Sequence, residues 1–301
     1  VRHKGDFAVF GFNDEEGMRF GTGYFGSGAI LGHRDVEYTK KYLDVDHISI
    51  YDAMKEYGLV PEDLGQAIWS KDSIHAFLEV HIEQGPILHA RDIELGLVDC
   101  IVGIQRYMIT VDGRADHAGT TPMDMRIYAA DTAAKVIAQI ADWAREKEDG
   151  TVATVGYIHT KPGGVNIVAE QVEFTVDIRS RDNRNINDIA GKIRIALDKE
   201  TKAYGSSYEM VNKLTVEPIH LSETMLDTLA LQCREHGYTY LRMPSGAGHD
   251  TLEIGQEIPS VMLFVPSKDG RSHCPVEDTD YEAFAKATVV MEGLVSKLLK
   301  E

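Results

Sequence analysis

Two adjacent carboxylates, Glu15 and Glu16, stand against a glycine in the stretch VFGFNDEEGMRF, residues 9–20. Three histidines stand in comparable settings, each close to glycine or proline: His81 in EVHIEQGP, His249 beside Asp250 in PSGAGHD, and His273 in SHCPVE. Imidazole and carboxylate together form the donor set that zinc and similar divalent metals take. Taken singly, each residue has an ordinary explanation, a solvated acidic turn for Glu15–Glu16 and a polar loop side chain for each histidine. Their shared placement at sharp turns, where glycine lets the backbone bend or approach closely, makes them a candidate metal site.

A second set lies between residues 103 and 218. His117 occurs in DGRADHAGTTPMDMR, Asn166 in GGVNIV and Arg179 in VDIRS. The pattern alone also allows a capping or turn role for His117, a turn role for Asn166 and a surface ion pair for Arg179.

The elements that must position these residues follow from hydrophobic periodicity. Residues 7–12 read as a buried strand, 27–33 as a small-residue loop, and ISIYDAMKEYGL as an amphipathic helix ending near Gly58. A strand runs through IHAFLEVHIEQGPIL into a polar turn. From about residue 103 the pattern changes. GIQRYMITVDGRA is an alternating strand, and RIYAADTAAKVIAQIADWAREKE is a long alanine-rich helix. TVATVGYIHT and NIVAEQVEFTVDIRS are two strands joined through KPGG, INDIAGKIRIALDKETKAYG is a second helix, and SYEMVNKLTV is a last strand. The order β-α-β-β-α-β is the ferredoxin-like split arrangement. After it, ETMLDTLALQCREHG is helical, PSVMLFVPS is a buried strand and a helix closes the chain. The predicted architecture is an α/β domain made of residues 1–102 and 219–301, interrupted by an inserted α+β domain at 103–218. If the strands of the first domain form an open sheet, loops beyond their carboxyl ends are where a ligand would gather.

Composition narrows the partners. With 43% hydrophobic and 26% charged residues in 301, the chain has the balance of an ordinary globular protein. A formal charge of −17 argues against nucleic acid or an anionic membrane as partner, since either needs a basic face. Cys100, Cys233 and Cys274 are odd in number and scattered, which reads as reduced thiols in a cytoplasmic protein. No apolar run approaches the roughly 20 residues that span a bilayer.

Taken in order, FNDEEGMRF, EVHIEQGP, DHAGTTPM, PSGAGHD and SHCPVE resemble the amidase/hydantoinase/carbamoylase family of dinuclear metal amidohydrolases. That family includes N-carbamoyl-L-amino-acid hydrolases and allantoate amidohydrolases and shares its fold with metal-dependent aminoacylases and dipeptidases. The resemblance extends over essentially the whole chain. It implies a metallopeptidase-like catalytic domain with an inserted lid and dimerisation domain, a homodimer, and a small ureido acid as substrate. It implies two divalent ions, among zinc, manganese, cobalt and nickel. Glu15 would be the general base, with Glu16, His81 and His273 as metal ligands. Gln84, His117, Asn166, Arg179 and His249 would bind substrate, His117 also stabilising the oxyanion from a partner subunit. The adjacency of the two glutamates then has a reason: one carboxylate holds metal while the other handles the water, and a cation beside both removes their repulsion.

The chain departs from the family pattern in one respect. The family's H-x-D histidine and bridging aspartate precede the Glu-Glu pair, and here the only such string, His33-Arg34-Asp35, follows it and reads as a loop. The expectation from sequence is an N-terminally truncated catalytic domain that holds no metal, or one weakly, and is inactive as it stands. The alternatives left open are an aminoacylase or dipeptidase on the same scaffold and a non-catalytic dimerisation fragment.

Overall fold

The computed structural model describes residues 5–300. The chain divides into two compact units. One runs up to Ile101 and resumes at Ile219, and the other is Val102–Pro218. No helix among the described residues is long and apolar enough to cross a membrane.

The first unit begins with three short helices, α1 (Phe25–Ile30), α2 (Val36–Lys41) and α3 (Ile50–Glu56), followed by β1 (Phe77–Ile82), α4 (Ile87–Ala90) and β2 (Leu95–Ile101). The second unit holds β3 (Gly103–Asp112), β4 (Asp116–His117), α5 (Ala129–Arg145), β5 (Val152–Thr154), β6 (Ile158–Lys161), β7 (Ile167–Val168), β8 (Gln171–Ser180), α6 (Asn183–Tyr204) and β9 (Ser207–Val216). The chain returns to the first unit with β10 (Ile219–His220), α7 (Glu223–His236), β11 (Tyr240–Ser245), α8 (Asp250–Ile254), β12 (Ser260–Val265) and α9 (Tyr281–Leu298).

In the first unit the sheet has the order β1-β12-β2-β10, with β11 also paired to β2. β1 and β12 are parallel, and β2 runs antiparallel to β12. Every residue of β12 is buried and β2 is nearly so. That is why β12 reads as a continuous apolar run rather than an alternating one, the pattern of a strand covered on both faces, whereas Asp99 interrupts β2. β11 is parallel to β2 and therefore opposite to β1 and β12.

The second unit is an antiparallel sheet in the order β5-β8-β3-β9, β6 continuing beside β8. Val172, Phe174, Val176 and Ile178 alternate along β8 and are buried with Ile109 and Val111 of β3 against Val136, Ile140, Ile186, Ile189 and Ile193 of the two long helices. Burying each such side chain contributes about 1.5–3 kcal/mol. Alanines on α5 (Ala129, Ala133) let that helix approach closely.

Two sequence expectations are corrected here. Residues 7–12 form no strand: they pair with no ladder among the described residues, and Phe7 and Val9 are largely exposed. Apolar composition makes a strand only where a neighbour supplies hydrogen bonds, and β1 pairs with β12 alone. Residues 27–33 are not a loop throughout, because α1 takes in Phe25–Ile30. Its Ser27, Gly28 and Ala29 are buried, so small residues serve close packing rather than freedom. β2 and β11 were not anticipated. TVATVGYIHT, read as one strand, breaks into β5 and β6 around Gly156.

Candidate metal centre

Glu15 and Glu16 sit in a turn rather than at a strand end. Asp14 takes a left-handed φ of 51° and Gly17 one of 69°. The turn closes through Gly17 N–H to Asp14 O at 2.9 Å, and Tyr24 N–H reaches Glu15 O at 2.9 Å. A Cβ on Gly17 would lie 2.4 Å from the Thr22 carbonyl carbon, backbone that cannot step aside. Gly17→Ala is accordingly expected to destabilise the fold by about 3 kcal/mol, from left-handed strain and overpacking together, as measured by urea unfolding.

The two glutamates serve different neighbours. Glu16 Oε1 accepts from Gln84 Nε2 at 2.7 Å and lies 2.9 Å from His273 Nε2. Gln84 and His273 leave the carboxyl ends of the parallel pair β1 and β12, and both hold φ of 55°. A non-glycine residue in that region costs on the order of 1–3 kcal/mol, so surrounding contacts hold each in place. For Gln84 one of these is its N–H to Ser267 Oγ at 3.0 Å. Glu83, beside Gln84, is structural: its two oxygens accept from Ile87 and Leu88 N–H, each at 2.8 Å, capping α4.

Glu15 faces His81 and His249. His81 Nδ1 lies 2.8 Å from the Ile82 carbonyl oxygen, which only accepts. Nδ1 therefore carries the proton and Nε2 the lone pair. His249 is 1% exposed, its Nε2 3.1 Å from Ser245 Oγ. Ser245 spends its one proton on Ala247 O at 2.7 Å, so Oγ accepts from His249 Nε2–H. That leaves a lone pair on His249 Nδ1, buried, without a hydrogen-bond partner and 3.7 Å from Glu15 Oε1, itself buried and unpartnered. The His81 and His249 rings lie 4.2 Å apart.

His249 arrives by an unexpected route. β11 runs opposite to β1 and β12, so the loop after it does not leave the sheet at their carboxyl ends. His81 and Phe264 are register partners, and the His249 ring packs on both, over the face of the sheet.

Burial, then the charges of Asp250, Glu79 and Glu16, push the Glu15 carboxyl from 4.5 up to about 8. Burial pushes Asp250 up to about 6, against a hydrogen bond from Ser27 Oγ at 2.5 Å. Burial also raises Glu79. His249 is driven down to about 3 by burial and by His81, so its imidazole is neutral. One donor atom each from Glu15, His81 and His249 lies within 4.8 Å of the others. Two inward lone pairs and a carboxyl that burial keeps from ionising fit a divalent cation, which would replace the proton on Glu15.

In the second unit, β4 pairs with β7, placing His117 opposite Ile167 and beside Asn166, whose carbonyl accepts from Ala118 N–H at 2.9 Å. His117 Nδ1 accepts from Gly119 and Thr120 N–H at 3.1 and 3.2 Å, which puts the ring proton on Nε2. Arg179 donates from Nε to Asp177 Oδ1 at 2.7 Å, and Arg106 holds the other oxygen of the same carboxylate.

A family model described as peptidase family M20/M25/M40 matches residues 1–297. The chain belongs to this family. Within it, the chain is 37% identical to an N-carbamoyl-L-amino-acid amidohydrolase of Paenarthrobacter aurescens, over 97% of this chain and 71% of that protein. It is 30% identical to the allantoate amidohydrolase of Escherichia coli K12, over 96% of this chain and 70% of the relative. Among solved structures, an amidase of the hydantoinase/carbamoylase family from Burkholderia multivorans superposes with a TM-score of 0.85 at 29% identity, covering 96% of this chain and 69% of that one.

The sequence reading missed Glu79 and Ser27. Glu79 had a usable signal, since alternate residues of a strand share a face and Glu79 stands two before His81. Ser27 had none, because its contact with Asp250 spans 223 positions.

Proposed function

We propose that this protein is a metal-dependent amidohydrolase that cleaves a ureido (carbamoyl) C–N bond, in N-carbamoyl-L-amino acids or allantoate, releasing ammonia and carbon dioxide. The observation that carries it is the grouping of the Glu15 carboxyl with two inward imidazole lone pairs, in a chain whose relatives bear amidohydrolase names. Glu16, His81 and His273 are the proposed ligands of two divalent ions, and His249 Nδ1 offers a further donor beside His81. Such ions would polarise the carbonyl and bring a water's pKa toward neutrality.

Glu15, whose Oε1 makes no hydrogen bond, then takes the proton of the attacking water and passes it to the leaving nitrogen. The partner subunit's His117, with its proton on Nε2, would donate to the developing oxyanion. Asn166 and Gln84 supply amides to the ureido group. Arg179, held on Asp177, pairs with the substrate carboxylate, for which a planar guanidinium is suited. Arg179→Ala is expected to weaken a carboxylate-bearing substrate about 10- to 100-fold, with Arg179→Lys recovering little of it. KM for the acid against its methyl ester checks this, because the ester should be unaffected.

Three donors at one point equal the three protein ligands of a catalytic zinc, and two at the other fall short of them. Weak metal occupancy and slow turnover by this chain alone therefore belong to the reading. So do a cytoplasmic location and a homodimer formed through the second unit. That unit bears an apolar depression of about 270 Å³ lined by Ala130, Ala134, Ala138 and Ile158, a surface a second copy would cover. The test is a panel of N-carbamoyl-L-amino acids, allantoate, N-acetyl-amino acids and dipeptides, offered with manganese, cobalt or zinc. Ammonia from the first two classes supports the proposal. Cleavage of only the last two would make the protein an aminoacylase or dipeptidase, and binding without turnover of any would make it a non-catalytic module.

A further inference from the structure

α8 is only five residues long, yet it begins directly after His249 and so sets where that ring lies. Its first turn is tied down from two sides. Ser27 Oγ donates to Asp250 on one side. On the other, Thr251 is fully buried and donates twice to a single oxygen, Glu79 Oε2: its N–H at 2.9 Å and its hydroxyl at hydrogen-bonding distance. Glu79 stands two residues before His81 on β1, so both side chains point to the same face. Thr251 stands two residues after His249. Two cross-links thus run side by side between β1 and α8, the hydrogen-bonded pair Glu79–Thr251 and the ring contact His81–His249 at 4.2 Å.

We propose that Thr251 is a positioning residue: by donating twice to Glu79 it fixes the start of α8, and with it the Nδ1 lone pair of His249, relative to His81 Nε2. The consequence for metal rests on the reading above, whereas the positioning itself does not. A buried carboxylate that loses one of two donors shifts to find another, because an unpaired buried charge is costly. Valine has the shape of threonine without the hydroxyl, and the Ser27–Asp250 tie remains. Thr251→Val should therefore keep the fold while loosening the pair of rings. Serine keeps both donors and should restore it.

The experiment uses the whole chain, with the two rings followed by NMR (nuclear Overhauser contact between them and their ring-nitrogen shifts) and Co(II) titration followed by visible absorption. Thr251→Val is expected to lose the ring-to-ring contact and to weaken Co(II) at least tenfold with little change in unfolding midpoint. Thr251→Ser should lie within about twofold of the parent. Should the valine variant fail to fold, Glu79→Met, which removes the acceptor, reads the same link from the other partner. Wild-type behaviour of Thr251→Val in both readouts overturns the proposal, as does a Thr251→Ser variant as impaired as the valine one. A parent chain that binds no Co(II), but whose ring contact still depends on Thr251, would remove the metal reading and leave the positioning role standing.

Discussion

Replacing Glu15 by glutamine is expected to cost metal-supported turnover about 10³-fold while making the metal-free protein more stable above neutral pH. The first effect follows from removing a general base, a role typically worth 10²–10⁴. The second follows from linkage. In the unfolded chain Glu15 releases its proton near 4.5, whereas in the folded protein it holds on to about 8. Folding is therefore unhindered below 4.5, grows costlier as pH rises between the two values, and bears the full cost above 8. At about 1.4 kcal/mol for each tenfold change in proton affinity, the ceiling is about 5 kcal/mol, and solvent screening at a partly exposed carboxyl reduces this to about 2. Glutamine has nearly the same shape and no such cost. Thermal unfolding in chelator across pH 5–9 should show the variant level with the parent at pH 5 and above it by roughly 5 °C at pH 9. A difference that does not change with pH would contradict this account of Glu15.

His81→Ala is expected to produce the largest loss of metal affinity, more than ~100-fold by calorimetry, beyond the 10- to 100-fold typical of residues that only support a ligand. His81 is fixed twice over. Its Nδ1–H is tied to the Ile82 carbonyl, and its ring packs against His249. Its Nε2 lone pair is therefore pre-aimed and needs no reorganisation to bind a cation. The same substitution also removes the ring His249 packs against, so the buried Nδ1 of His249 should lose its fixed direction. His273→Ala should cost less, because that ring is two-thirds exposed and held on this side by Glu16 alone among the carboxylates. Equal losses for the two variants would count against His81 as the better-organised ligand.

Much of the second unit was legible in the sequence, and for a physical reason. Its sheet is covered by helices on one face, so β8 alternates strictly between buried and open positions, and α5 and α6 carry apolar residues at helical spacing. The first unit was less legible. β2 is buried on both faces and lies directly before β3, and in LGLVDCIVGIQ no turn residues other than Gly103 mark where one unit ends. Residues 7–12 had the composition of a strand but lacked a partner, a tertiary fact that no local pattern carries. At the site, residue types at turns pointed to Glu15, Glu16, His81, His249 and His273. The grouping did not follow from them. That Glu16 sides with Gln84 and His273, while Glu15 sides with His249, depends on a turn held by Gly17 and on a helix tied by Thr251, contacts between segments far apart in the chain.

The most direct test of the central claim is a titration of the purified chain with manganese, cobalt and zinc at pH 7, in two buffers of different ionisation enthalpy. The account predicts saturable binding of at least one ion per chain. It also predicts release of close to one proton as the ion takes the place of the one Glu15 holds, and that release should be absent in Glu15→Gln. No saturable binding at millimolar metal, or binding with no proton released, would contradict it.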